Sequence, residues 1–393
     1  SLLFMSDLAL PVWAREEAFP LKPDISPYGC RDEKGKLVSF DELDGLKEYL
    51  SSGKGKLAWV WVPEHGRLIA PEEYPSLVST LKKRRRLFSE YDLQDGKRGL
   101  LLFGAILIYV IYAAYVRGQW AAVGSTQTVG IAVMLFFFFA IRPYWSGLQG
   151  NKELRATNKE SVAAEIPEAR FELWLQSQKP WITMVLIGLI TAVGLVQYLT
   201  GGGFAEAGLV KARYAAGEWW RVHTAAFMHG NPLHFLMNVS ALWYLGKRLE
   251  TLGRWPHLVM VFFVSVLGAG WATTAWVSEG SSVGVSGAVC GLLGFLLVFE
   301  TLHKPLVPGS ARQRLLGILV SLVVIGALGF QFIDNAAHFG GLVAGAVYAL
   351  VVFPKSSSTG RPIILKRDFA MGVGALLLIC LSALAAIAAM LLQ

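Results

Sequence analysis

Seven times between residues 181 and 392, and once at 99–116, the sequence runs for close to twenty residues with almost no charge. The hydrocarbon core of a bilayer is about 30 Å thick and is crossed by about 20 apolar residues in a helix. A helix also satisfies its own backbone hydrogen bonds where lipid offers none. Only 16% of the 393 residues are charged and 54% are hydrophobic, whereas a soluble domain carries about 25% charged residues. The pattern predicts an all-α polytopic membrane protein with a small soluble domain in front of it.

The net charge of +8 does not point to nucleic acid. The lysines and arginines gather in the short gaps between apolar runs, where they orient spans across the membrane. Residues 82–86 read Lys-Lys-Arg-Arg-Arg just ahead of the 99–116 span, which assigns residues 1–95 to the cytoplasm as a soluble α/β domain. That domain is predicted to hold helices at 41–50 and 71–88 and strands at 57–62, with alternating Trp59 and Trp61, and at 67–70. Residues 96–145 read as an extra transmembrane hairpin, its second span at 129–141 short unless 121–124 are added. Residues 146–180 read as an interfacial linker helix, because Phe171, Trp174 and Leu175 share one helical face beside charged residues. Six core spans follow within 181–353, and 354–393 supplies one more, nine crossings in all. Basic gaps near 247–254, 304–314 and 355–367 face the cytoplasm, so 201–232, 278–284 and 333–335 face outward. The opening run Leu2-Leu3-Phe4-Met5 is too short for a secretory signal. Cys30, Cys290 and Cys380 have neither disulfide-framework nor metal-ligand spacing, so no cofactor or metal is expected.

On this topology the spans beginning near Leu233, Val285 and Ala336 run in the same direction. His234 and Asn238, Ser286, and His338 then lie in their first turns, at one level near the outer face. A lone serine among small residues is ordinarily a packing feature, and a lone histidine or asparagine an interhelical hydrogen bond. Neither reading accounts for four such groups at one depth. A serine nucleophile needs a base, and a neutral imidazole is available at physiological pH, which makes His338 the candidate for Ser286. A helix N-terminus leaves backbone N–H groups free for an oxyanion, and His234 and Asn238, spaced i and i+4, share a helix face. Asp334, four residues before His338, reads as a helix cap in preference to a third triad member. Cys290 is a poor nucleophile, being a thiol in apolar surroundings one turn deeper.

The motifs His229-Gly230-Asn231-Pro232-Leu233-His234-Phe235-Leu236-Met237-Asn238, Gly284-Val285-Ser286-Gly287 with Gly291, and Ala337-His338-Phe339-Gly340-Gly341 with Gly345 resemble those of the rhomboid intramembrane serine proteases in order and spacing. Trp220-Arg221 is similar to that family's outer-loop signature, and residues 246–250 to its second-span ending. The resemblance covers about 180–353. It implies a six-helix rhomboid core, a Ser286–His338 dyad, and an oxyanion site from His234, Asn238 and the Ser286 N–H. It makes His229 a structural brace, and has Gly341 and Gly345 admit the sixth core helix against the fourth, beside Gly287. It also implies substrates that are transmembrane proteins, with a small residue at the cut, cleaved near the outer face of what would be a bacterial inner membrane. Cys290 departs from the family pattern, which has an aromatic ring on the catalytic histidine at that position. The competing classes are a catalytically weak or inactive client-binding relative, and a transporter, against which the shallow depth of the polar groups counts.

Overall fold

The computed structural model describes residues 10–32, 35–53, 57–118, 132, 133, 135–330 and 333–392. The opening run at 2–5 and the first part of the second hairpin span, 121–131, lie outside the described residues. The chain divides into two compact units, Trp13–Gln176 with Leu322–Ile333, and Ser177–Ser321 with Asp334–Gln393 and Ser1–Val12.

The first unit contains an antiparallel sheet of β1 (Tyr28–Asp32), β2 (Leu37–Phe40) and β3 (Leu57–Trp61) in the order β2-β1-β3, with helix α1 (Leu43–Ser51). Successive strand side chains point to opposite faces. Val60 and Val62 therefore join Cys30, Leu46, Leu50, Ile69 and Leu77 in one core. Trp59 and Trp61 join Phe19, Leu68 and Ala70 in another. A Cβ at Gly29 would fall 2.0 Å from the Trp61 ring, so the indole lies where a side chain on β1 would stand. Burial pushes the Cys30 thiol up to about 11, with the Asp32 charge adding to it.

The second strand expected at 67–70 is reduced to two isolated bridges, Leu21 to Arg67 and Val60 to Ile69. The helix expected at 71–88 also differs. Two short 3-10 turns, Pro71–Glu73 and Pro75–Leu77, precede α2 (Val78–Arg117), a single helix of 40 residues. Pro75 delays the helix, and no proline interrupts it afterwards, while Arg86–Glu90 and Asp95–Arg98 pair along its polar half. The domain boundary expected at residue 95 thus falls inside one helix. Helix α3 (Arg142–Ala156) packs on α2 through glycines. A Cβ at Gly99 would lie 2.1 Å from the Phe139 carbonyl, and one at Gly96 2.4 Å from the Tyr144 nitrogen.

Helix α4 (Lys159–Ser177) corrects the interfacial reading of the linker. Phe171, Leu173, Trp174 and Leu175 are buried rather than open to a membrane surface. Leu173 belongs to the core of Trp59 and Trp61, and Phe171 meets Trp13 edge-on. The physical reason is that the soluble sheet has a second apolar face, and α4 covers it.

The second unit contains α5 (Trp181–Thr200), the two-residue strand β4 (Leu209–Val210), α6 (Pro232–Gly253), α7 (Trp255–Trp276), the two-residue strand β5 (Ser281–Ser282), α8 (Ser286–Leu302), the start of α9 (Gly309–Leu328), α10 (Asn335–Val352) and α11 (Lys366–Leu391). Helix α8 packs against α6, α7 and α10, and α11 against α5 and α7. At one end of the unit the Arg248 guanidinium donates to Glu300 at 2.6 and 3.0 Å, both side chains wholly buried. The Glu250 carboxylate receives the Ile182 and Thr183 N–H groups and so caps α5.

Among the described helices, six are long and apolar enough to cross a membrane: Pro75–Arg117, Trp181–Thr200, Trp255–Trp276, Gly309–Leu328, Asn335–Val352 and Lys366–Leu391. Of the nine crossings expected, the second hairpin span lies largely outside the described residues. Ser286–Leu302 is apolar but shorter, and α6 carries Lys247, Arg248 and Glu250 in its last turns. The chain is a mostly helical, multi-pass membrane protein with a small antiparallel sheet near its N-terminus.

Candidate active site

The pairing of α8 and α10 rests on missing side chains. A Cβ at Gly341 would fall 1.9 Å from the Gly287 carbonyl oxygen, and one at Gly345 1.9 Å from the Gly291 oxygen. A Cβ at Gly294 would meet the Leu342 oxygen at 2.1 Å. The two backbones therefore touch over two turns, and the first turn of α10 lies against the start of α8. There the His338 Nε2 stands 2.8 Å from the Ser286 Oγ. The His338 Nδ1 is buried and meets no hydrogen-bond partner among the described residues.

Helix α6 begins beside this pair. The Asn231 side chain accepts the His234 N–H at 2.8 Å, and Pro232 occupies the first turn, where its missing N–H costs nothing. Gly284 has φ 119, and a Cβ there would lie 2.7 Å from His234 Cε1 and 3.7 Å from Asn238 Nδ2. Both side chains of the expected oxyanion group thus flank the residue two before Ser286. Asn238 is buried, and its Nδ2 donor meets no hydrogen-bond partner among the described residues.

The outer loop is held by polar side chains on carbonyls. His229 and Gln197 exchange hydrogen bonds, the His229 N–H to Oε1 at 3.0 Å and Nε2–H to the His229 oxygen at 2.8 Å. The Arg221 guanidinium is buried, donates to the Glu206 and Gly208 carbonyls, pairs with Glu218 and lies over the Trp220 ring. Strand β4 pairs with β5, tying this loop to the segment that leads into Ser286. Burial holds the Lys211 ammonium below its ordinary range, opposed by the charge of Asp334.

Asp334 is the N-cap of α10, its Oδ1 accepting the Ala337 N–H at 2.9 Å. Its Oδ2 accepts the hydroxyls of Thr273 and Ser282. This joins the end of α7, β5 and the start of α10, and is the geometry of a cap rather than a triad. Sequence reasoning missed Thr273 and Ser282, since hydroxyls near apolar helix ends carry no distinguishing pattern. A small cavity of about 50 Å³ behind Ser286 is lined by Val222, Ala269, Thr273, Gly284, Asp334 and Ala337. Cys290 is buried, and among the described residues no aromatic ring stacks on the His338 imidazole. Among the described residues no group of three His, Cys, Asp or Glu side chains stands together as a metal site.

Residues 216–355 match the family model described as the Rhomboid domain. The chain is 28% identical over 197 residues to the rhomboid protease GluP of Bacillus subtilis (strain 168), covering 47% of this chain and 38% of that protein. It is 32% identical over 139 residues to RHOMBOID-like protein 5 of Arabidopsis thaliana, 35% of this chain and 45% of that one. It is 29% identical over 198 residues to the rhomboid protease GlpG of Yersinia pestis (strain Pestoides F), 48% of this chain and 69% of that one. The chain spans between about a third and half of the length of the first of these curated relatives. The chain thus carries a Rhomboid domain over residues 216–355, the segment that holds the Ser286–His338 pair.

Proposed function

We propose that this protein is an intramembrane serine endopeptidase that cleaves transmembrane proteins near the outer membrane face. The reading is carried by one observation, the 2.8 Å contact between Ser286 Oγ and His338 Nε2 beside the unpartnered Asn238 donor. His338 Nε2 takes the Ser286 proton as Oγ attacks the scissile carbonyl. Negative charge develops on the carbonyl oxygen, where the Asn238 Nδ2, the His234 ring and the Ser286 N–H are available as donors. Collapse breaks the peptide bond, and His338 returns the proton to the leaving amine. A water, deprotonated by the same imidazole, attacks the acyl carbon, and His338 returns that proton to Ser286 Oγ as the acid leaves. Loss of one oxyanion donor typically costs about 100 to 1000 fold in turnover. The soluble head is assigned to the cytoplasm and the site to the opposite face, from the basic residues flanking the spans.

A second reading is a catalytically weak, client-binding relative. It is favoured by the His338 Nδ1, which no partner orients, and by Cys290 in place of a ring. Cleavage of single-span reporters in liposomes by wild type and Ser286→Ala separates the two. Ser286-dependent cleavage and fluorophosphonate labelling support the protease, and reporter binding without either supports the client-binding relative.

A further inference from the structure

Helix α11 takes no part in the proposed chemistry, yet a series of contacts leads from its end toward the site. Its 26 residues extend about 39 Å. Its start is anchored on α7. The Asp368 carboxylate receives the Leu365 N–H at 3.0 Å and stands 3.9 Å from His257 Nε2. Phe369 meets Trp255 edge-on, and a Cβ at Gly372 would fall 2.7 Å from Pro256 Cβ. From there Ala375, Ile379, Ala383, Ala386 and Met390 are buried at helical spacing along one face.

At the far end Met390 and Met228 converge on Gly203, whose φ is 101. A Cβ there would meet Met390 Sδ at 2.6 Å and Met228 Cε at 2.9 Å. Met228 is fully buried and its N–H donates to the Ala225 carbonyl at 3.2 Å. The same carbonyl accepts the Gly284 N–H at 2.9 Å. Gly284 is the residue that His234 and Asn238 flank. A short series of direct contacts therefore joins the end of α11 to the backbone leading into Ser286.

We propose that α11 is a positioning strut for the active site. Met390 seats the Gly203–Met228 corner, and the Ala225 carbonyl passes that placement to Gly284, keeping the oxyanion donors and Ser286 in register. The inference rests on the protease reading. Misplacing reacting groups by about 1 Å can cost on the order of 100 fold in rate. Loosening this corner acts on turnover, because the strut touches neither substrate nor the reacting atoms.

The test uses the full chain in liposomes as wild type, Met390→Ala, Met390→Leu and Leu384→Ala, the last at a position on α11 that is 60% exposed. Reporter kcat and KM, normalised to folded protein, are measured together with amide exchange across residues 281–286. Met390→Ala is expected to lower kcat by roughly tenfold or more with KM within about twofold, and to speed exchange of the Gly284 amide. Met390→Leu is expected to restore most of the rate, and Leu384→Ala to match wild type. Unchanged kcat and unchanged Gly284 exchange in folded Met390→Ala would overturn the proposal, even if its thermal stability falls. Absence of Ser286-dependent turnover in wild type counts against the protease reading instead. The exchange arm then still decides whether α11 holds Gly284.

Discussion

Gly341→Ala tests whether backbone contact between α8 and α10 sets the alignment of Ser286 and His338. The added Cβ would start 1.9 Å from the Gly287 oxygen, where ordinary contact begins at 3.4 Å. Neither partner atom belongs to a side chain that can turn away, so α10 must retreat by about 1.5 Å at this turn, a cost of about 1–3 kcal/mol in stability. His338 lies one turn earlier on the same helix. If the retreat carries through, the 2.8 Å contact opens to about 4 Å, beyond hydrogen-bond reach. Removing the base from its nucleophile predicts a loss of about 100 fold or more in the rate of fluorophosphonate labelling and of reporter cleavage. Gly188→Ala on α5 is the control, because no atom lies within 4 Å of the Cβ it adds. It is expected to label as wild type and to be slightly more stable, since alanine is favoured over glycine in a helix by roughly 0.5–1 kcal/mol. A folded Gly341→Ala protein that labels within about twofold of wild type would refute the reasoning.

Asp334→Ala is expected to cost about 1 kcal/mol of stability through the lost cap while leaving most activity, with Asp334→Asn nearer to wild type. A loss matching that of Ser286→Ala, measured in the same cleavage assay, would restore the triad reading. Glu300→Ala strands the buried Arg248 charge and is expected to destabilise the protein by about 3–5 kcal/mol in a denaturation series, while Arg248→Met with Glu300→Leu recovers much of it. Because burial raises the Cys30 thiol to about 11, the folded protein holds that proton where the unfolded chain has released it. The contribution of Cys30 to stability is therefore full below about pH 9 and is lost as pH rises toward 11. Peptide-resolved maleimide labelling at pH 8 should leave Cys30 unmodified until the protein is unfolded.

Hydropathy made the long apolar helices legible, because a bilayer tolerates few charges and each gap breaks the run. The candidate site residues stood out in the sequence for a related reason: polar groups are conspicuous against twenty apolar neighbours. What composition hides is the partner of each group. Asp334 is tied to Thr273 and Ser282, which lie 61 and 52 residues away along the chain. Arg248 looked like one more orienting charge and is instead buried on Glu300. In the soluble head, Gly29 and Cys30 interrupt the alternation that would have announced β1. The face of Phe171 and Trp174 reads identically whether lipid or a neighbouring sheet covers it, and only the second apolar face of that sheet decides the matter.

The unbroken course of α2 has a mechanical consequence. Forty residues make a rod of about 60 Å, roughly twice the thickness of the hydrocarbon core. Its polar half is held by the head, with Arg84 donating to the Leu50 carbonyl, and by the end of α3, with Lys82 donating to the Thr157 carbonyl. No hinge separates that grip from the apolar half, which begins at Gly99. A tilt of the apolar half would therefore be carried along the rod to the head. A change in membrane thickness that tilts the span by about 10° swings a point about 30 Å along the rod by about 5 Å. Deleting a single residue between 95 and 98 would turn the head by about 100° about the rod.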